Sequence, residues 1–264
     1  MLPTSATDLA AELTADERAL RPDEPPDPES LAIRQAAEHL QLIYRRLGRN
    51  ADEWALVRPL LAADVVVAAD SNVTAAAAFA AKATASTAPA SPTLPAWHIV
   101  KPLPVTTLLS WYRDAEAATG VPWSLLAAIH LAETRMGRIS GVSSAGAIGP
   151  MQFLPSTWAT CCLGDPTDPH DAILGAAVYL AAKGAPADLA GAVHHYNPND
   201  AYVTAVLAYA TNMAADERAY IGYHAWQVFY GSSAGSVRLP IGYAADEPVD
   251  AAAYVVAHPG DLVG

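Results

Sequence analysis

Residues 122–137 read Pro-Trp-Ser-Leu-Leu-Ala-Ala-Ile-His-Leu-Ala-Glu-Thr-Arg-Met-Gly. Proline is tolerated in the first turn of a helix, where its missing N–H would have no partner in any case. The spacing therefore predicts a helix that opens at Pro122 and runs through Ile129 and Glu133 to Gly137. Glu133 follows Ile129 by four residues and Leu125 by eight, so it projects from the same stripe as side chains that face a core. Burial disfavours the charged form of a carboxyl group. A glutamic acid that stays protonated near neutral pH is what protonation of a glycosidic oxygen requires. The competing reading is an acid at the helix edge, paired with Arg135 or Arg138.

Working outward, Thr106 to Thr119 places Leu108, Leu109, Tyr112 and Ala115 on one helical face and stops at Gly120. Between Gly141 and Gly149 small residues dominate, which implies backbone packed close to something. Asp168, Pro169 and Asp171 form a helix start for a segment ending at Gly184, and Asp200 is expected to cap a helix that begins at Ala201. No alternating strand pattern stands out, and the tail from Gly231, with Pro240, Pro248 and Pro259, reads as irregular wrapping.

Toward the N-terminus, Thr7 to Leu20 and Glu29 to Gly48 look helical, the second with Leu31, Ala36, Leu40, Ile43 and Leu47 at helical spacing; proline-rich Arg21 to Pro28 separates them. Alanine-rich Asp52 to Ala81 is expected to form two short helices broken near Asp70 to Asn72. Ala83 to Pro95, a run of Ala, Ser, Thr and Pro, reads as a linker. The expected fold class is mainly α, with an N-terminal helical segment over residues 1–95 and a catalytic domain with an irregular tail over residues 96–264. A chain beginning near Trp97 should then fold and remain active.

Hydrophobic residues make up 52% of the 264 residues, enough to bury a real core, so disorder is not the dominant state. Fifteen Lys and Arg against 27 Asp and Glu give a net charge of -12, which excludes modes of action built on neutralising phosphates; no nucleic acid partner is expected. No stretch reaches the length of a membrane span. Met1 to Leu20 lacks the basic start and apolar run of a signal peptide, so for a protein working outside the cytoplasm the export signal would lie elsewhere. Cys161 and Cys162 are adjacent, which rules out an ordinary loop-closing disulfide within the chain, and they read as two small buried residues. His194 and His195 point to different helix faces, and no Cys or carboxylate spacing completes a metal set; Asp165, Asp168 and Asp171 resemble a cation loop only faintly, and helix capping explains two of them better. Neither a metal nor a cofactor is expected.

The run Glu133-Thr134-Arg135-Met136-Gly137-Arg138, then Ala145 to Gly149, then Pro150-Met151-Gln152-Phe153-Leu154-Pro155-Ser156-Thr157-Trp158, followed by Tyr196-Asn197, resembles the Slt-type lytic transglycosylases. The phrase Met-Gln-Phe-Leu-Pro-Ser-Thr-Trp is also similar to the membrane-bound transglycosylase B group. Order and spacing match over Pro104 to about Tyr230. The upstream helices look, more loosely, like those of secreted actinobacterial members. Three positions depart from the family pattern: Thr134 stands for the usual serine, Pro150 for a common leucine and His195 for alanine. The last two bear on the shape of the sugar subsites.

The resemblance implies a lysozyme-like domain that cuts the glycan strands of cell-wall peptidoglycan, as an extracytoplasmic, monomeric enzyme. It implies Glu133 as the single catalytic acid, Gln152 lining the cleft behind Gly149 and Met151, and Tyr196 near the acid, with Asn197 fixing the turn that presents it. Thr134, Met151 and Phe153 join these as expected substrate-binding residues. Ordinary glycosidases use two carboxyl groups. With one, the family solution is that the sugar's N-acetyl group stabilises charge at C1, after which the same glutamate activates the C6 hydroxyl for internal attack. Two alternatives stay open. One is a goose-type lysozyme-like hydrolase in which Asp165, Asp168 or Asp200 positions water; the other is a non-catalytic glycan-binding or helical interaction protein.

Overall fold

A computed structural model describes residues 2–22, 27, 30–85 and 88–263 and is mainly helical. Short polar side chains open the N-terminal helices. Ser5 Oγ accepts the Asp8 N–H at the start of α1 (Ala6–Ala19), Ser30 Oγ that of Ile33 in α2 (Leu31–Leu47), and Asn50 Oδ1 that of Glu53 in α3 (Ala51–Val57). Most of the predicted Pro-rich separator, Arg21 to Pro28, lies outside the described residues.

The expected break near Asp70 to Asn72 is not there. α4 runs unbroken over Val66–Ala85, and the interruption falls earlier, at a 3-10 turn over Arg58–Leu60, where Pro59 cannot continue a helix interior. The polar residues of α4 are satisfied without leaving the helix. Arg58 makes two 2.7 Å bonds to the Asp70 carboxylate. Buried Asn72 donates to the Ala68 carbonyl at 3.0 Å and accepts the Tyr223 hydroxyl at 2.7 Å.

The remaining helices are α5 (Val105–Thr119), α6 (Trp123–Thr134), α7 (Pro155–Cys161), α8 (Pro169–Ala182), α9 (Leu189–Tyr196), α10 (Asp200–Ala215), α11 (Ala219–Ala225) and α12 (Ala251–Ala257). Asp168 caps α8 as expected, its Oδ1 accepting the Asp171 N–H at 3.0 Å, and α8 ends at Ala182 rather than Gly184. The cap of α10 is Asn199 and not Asp200: Asn199 Oδ1 accepts the Tyr202 N–H at 3.0 Å. α6 is shorter than predicted. Arg135 and Met136 turn left-handed, at φ 54° and 57°, and the Met136 N–H returns to the His130 carbonyl at 3.1 Å.

The N-terminal helices share one core with the rest. α4 lies along α10, and Leu9, Leu40 and Val73 belong to the same buried cluster as Leu126, Tyr209 and Met213. Gly48, just past α2, is pressed on α4 so closely that a Cβ would fall 2.6 Å from that of Ala76. A buried polar network crosses the same contact. Glu17 of α1, 2% exposed, takes the Tyr44 hydroxyl of α2 and pairs with Arg21, whose Nε lies 3.3 Å from an Asp216 oxygen. Beside it, Asn212 of α10 donates to the Tyr223 hydroxyl at 2.7 Å.

The linker and tail expectations are also overturned. Residues 83–85 finish α4; Ser91 bridges to Ser232; and β1 (Thr93–Leu94) pairs antiparallel with β6 (Val249–Asp250). β2 (His98–Ile99) pairs with β3 (Ile139–Ser140). The tail forms a hairpin of β4 (Val228–Ser232) and β5 (Gly235–Leu239), extended by β7 (Leu262–Val263). Leu94, Ile99, Val228, Val237, Leu239 and Ala251 make a second, smaller core. Cys161 and Cys162, both half-buried, form a vicinal disulfide at the end of α7, which corrects the expectation of two small buried residues. No helix among the described residues is long and apolar enough to cross a membrane.

Candidate active site

Glu133 stands in the last turn of α6, partly buried. The next residue fixes where that turn goes. The buried Thr134 hydroxyl donates to the Pro150 carbonyl at 2.6 Å and accepts the Gly137 N–H at 3.1 Å, clamping the end of α6 to the segment 148–153. That segment is a tight turn closed by two Ile148–Phe153 backbone bonds of 2.9 and 3.0 Å. Gly149 is obligatory there, since a Cβ would come within 1.8 Å of the Pro166 carbonyl oxygen. Gln152 holds φ 51°, and its side-chain amide donates to the Gly149 carbonyl at 2.8 Å, so the glutamine is anchored by its own turn.

Met151 and Phe153 are buried and do not line an open surface as expected; like Thr134, they support the turn from behind. The Met151 carbonyl accepts the Tyr196 hydroxyl at 2.5 Å, and the Phe153 ring lies among Trp158, Tyr179 and Tyr196, with centroids 5.1, 6.1 and 5.4 Å away. Tyr196 closes α9. Asn197 follows, its N–H bonded to the Val193 carbonyl at 2.9 Å and its own carbonyl accepting the Asn199 N–H at 2.7 Å. This pair of bonds turns the chain from α9 into α10.

The turn delivers a residue that sequence reasoning missed. Tyr202, in the first turn of α10, donates its hydroxyl to Glu133 Oε1 at 2.5 Å. The Asn199 cap places Tyr202 in the first turn of α10, from which its side chain crosses to the last turn of α6, a relation that leaves no signal in the sequence. Burial pushes the Glu133 carboxyl up to about 7 from an ordinary 4.5, opposed by the Tyr202 bond and by the charge of Lys82 from the last turn of α4. Burial and the nearby Glu133 charge push both Tyr196 and Tyr202 well above the usual phenol range, so both remain protonated donors. Arg135 and Arg138, the alternative partners, donate to the Leu131 and His224 carbonyls at 2.7 and 2.8 Å.

The result is a carboxyl group poised near neutrality, with one hydrogen-bonded phenol and a second close enough to feel its charge. Tyr202→Phe removes an interaction that favours the carboxylate and leaves the burial in place. The Glu133 midpoint is therefore expected to rise above about 7. A 13C NMR titration of the carboxyl reads this directly, and a midpoint that stays or falls contradicts the geometry.

Of the aspartates considered for positioning water, Asp165 accepts the Thr167 N–H and hydroxyl at 2.8 and 2.7 Å, Asp168 caps α8, and Asp200 is 99% exposed at its side chain. None is among the groups that shift the Glu133 carboxyl. Asp168, His170 and Asp171 bring ligand atoms within 4.8 Å of one another, but Asp168 Oδ1 and Asp171 Oδ2 already accept backbone N–H groups at 3.0 Å, and His170 lies against the Trp111 ring. The chain matches no protein-family model, no curated protein and no solved structure.

Proposed function

We propose that the protein is a lysozyme-like lytic transglycosylase that cleaves the β-1,4 bond between N-acetylmuramic acid and N-acetylglucosamine in peptidoglycan. The observation that carries this is Glu133: a partly buried carboxyl, protonated up to about pH 7, beside the Gly149–Phe153 turn and Tyr196, in the order of the motifs that resemble the Slt-type enzymes.

In this reading the protonated Glu133 gives its proton to the leaving glycosidic oxygen as positive charge develops at C1. The N-acetyl group of the same sugar shields that charge, which removes the need for a second carboxylate. Glu133, now a carboxylate stabilised by the Tyr202 hydroxyl, takes the proton of the C6 hydroxyl as that oxygen attacks C1. The proton returns to Glu133, a 1,6-anhydro end forms and no water is consumed. Tyr202 favours the charged state that the first step creates, and burial favours the neutral state that the first step needs. A midpoint near neutrality is the compromise that lets one group serve as acid and then as base.

The substrate places the activity outside the cytoplasm, where a disulfide such as Cys161–Cys162 also persists. Mass spectrometry of the fragments released from purified peptidoglycan tests the reading. Internal attack yields muropeptides one water lighter than hydrolysis does. Fragments with only reducing muramic acid ends would make the protein a goose-type hydrolase, and no release would leave it a binding protein.

The disulfide plays no part in these steps, because its sulfurs carry no titratable thiol and it lies beyond the glutamine turn. Replacing both cysteines by serine is expected to keep turnover within a few-fold of wild type, as read by turbidity clearing of cell walls. A collapse of turnover with the circular dichroism spectrum unchanged would give the pair a role in the site.

A further inference from the structure

Beside the Glu133 site lies an aromatic surface that the motif residues do not supply. Past the end of α6 the chain enters β3, and the antiparallel register of β2 on β3, His98 against Ser140 and Ile99 against Ile139, sets Trp97 beside Gly141. The approach is close: a Cβ on Gly141 would fall 2.7 Å from Trp97 Cδ1, so only a residue without a side chain leaves the indole its place. The carbonyl of the same Gly141 lies 3.5 Å from the Gln152 side-chain nitrogen. Indole, glycine and the glutamine of the 148–153 turn therefore stand in a row.

Trp97 is held firmly. Its carbonyl accepts the Ala245 N–H at 3.0 Å, and its ring meets that of Tyr230 in β4 at 90°, with centroids 5.7 Å apart. Rings packed edge to face fix each other's tilt. Both are half-buried, resting against the smaller core and leaving the remainder of their surface to solvent. Their polar atoms are unspent. Among the described residues neither the Trp97 indole N–H nor the Tyr230 hydroxyl has a hydrogen-bond partner, and solvent reaches both. The ionisable neighbour on β2, His98, is taken up by Asp246 at 3.0 Å. What remains is an aromatic face flanked by two neutral donors. A wholly apolar ligand would cover those donors without giving them an acceptor, which is costly. A pyranose ring meets both demands, with an apolar face of axial C–H bonds and a rim of hydroxyl and acetamido oxygens.

We propose that Trp97, with Tyr230 beside it, is the platform on which an N-acetylhexosamine ring of the glycan strand stacks, next to Gln152, at a subsite that uses neither Glu133 nor Tyr202. The C–H face of the sugar lies on the indole, one of its oxygens accepts from the indole N–H and another from the Tyr230 hydroxyl. This rests on the glycan-cleaving reading and deepens it, adding a binding residue from before the stretch whose motifs carry the resemblance. Because β2 is bonded to the strand that follows α6, platform and acid are mounted on one frame, which is what a strand held at several sugars requires.

The test is a titration of full-length Glu133→Gln, 15N-labelled at tryptophan, with the β-1,4-linked hexamer of N-acetylglucosamine. The chain has six tryptophans, and Trp97→Phe assigns the indole resonance of Trp97 by its loss. A saturable shift of that resonance is expected. By calorimetry Trp97→Ala should bind the hexamer about tenfold more weakly, whereas Trp97→Phe, which keeps a ring, should stay within a few-fold of its parent. With Glu133 intact, Trp97→Ala should raise KM for glycan strands and leave kcat within a few-fold, because the lost contact is equally present in ground and transition states. Circular dichroism checks that the variants are folded, and the resonance itself is read on a chain with the platform whole. A hexamer that binds without moving the Trp97 resonance, an alanine variant that binds like its parent, or one that loses kcat at unchanged KM would each overturn the platform while leaving the cleavage reading standing. A chain that binds no hexamer by about 20 mM, far weaker than ordinary recognition, and releases no fragments from peptidoglycan loses both.

Discussion

Glu133→Gln is expected to lower the proposed glycan cleavage by a factor of about a hundred to ten thousand or more, the scale on which positioned acid–base catalysis is lost. Glutamine keeps the size and the acceptor that Tyr202 addresses, so glycan binding should survive. Stability supplies an independent readout whose sign is fixed. The folded carboxyl titrates near 7 and the ordinary one at 4.5, so the folded state holds its proton to higher pH than the unfolded state does. Wild-type stability therefore falls as pH rises from about 4.5 to about 7 and is flat beyond. Glutamine carries no charge to bury. The variant should match wild type at pH 4 and exceed it at pH 8, by up to the order of 3 kcal/mol. Thermal melts at the two pH values measure this. An active variant, or one no more stable at pH 8, would make Glu133 a structural residue.

Removing residues 1–96 is expected to destroy the cooperative fold, contrary to the independence that composition suggests. The truncation strips α4 from α10, baring Tyr209, Tyr223 and Met213, and removes Leu94 from the smaller core. Each large apolar side chain returned to water costs about 1.5–3 kcal/mol, so a handful exceeds the roughly 5–15 kcal/mol that holds a domain together. The same cut removes Lys82, one of the two partners that lower the Glu133 titration. Far-UV circular dichroism and a melting curve of a chain beginning at Trp97 decide the matter. A sharp melt with full cleavage would restore residue 95 as a domain boundary.

How much was legible follows from the kind of signal each element leaves. The helices around the site carry period, proline and caps in their own sequence, and α5, α6 and α8 lie within a few residues of where those signals put them. α4 was misread because Asp70 and Asn72 look like breakers until Arg58 and Tyr223 satisfy them, and those partners are 12 and 151 residues away. The strands were missed for a related reason. Each is two to five residues long, and a buried Leu94 facing Val249 leaves no alternation to count. At the candidate site, the partial burial of Glu133 was legible from its stripe, whereas its Tyr202 partner was not, because that contact is a hydroxyl reaching across from another helix. Thr134, Met151 and Phe153 were marked as substrate contacts on motif proximity, which does not register that their side chains are buried at the turn over residues 148–153.

The Glu17–Arg21–Tyr44 cluster, with Asp216 beside it, also constrains how this chain can vary. Loss of Arg21 alone would strip a buried carboxylate of its cation, and loss of Glu17 alone would leave the buried Tyr44 phenol without its acceptor and Arg21 with Asp216 as its remaining carboxylate, errors of several kcal/mol in a fold with little to spare. Joint replacement by apolar groups of similar volume is far less damaging. Among natural relatives, these positions are therefore expected to be inherited as a block, either all polar or all apolar, with the mixed states rare. The interface between the N-terminal helices and the rest of the chain would then record its own history as a set of linked changes.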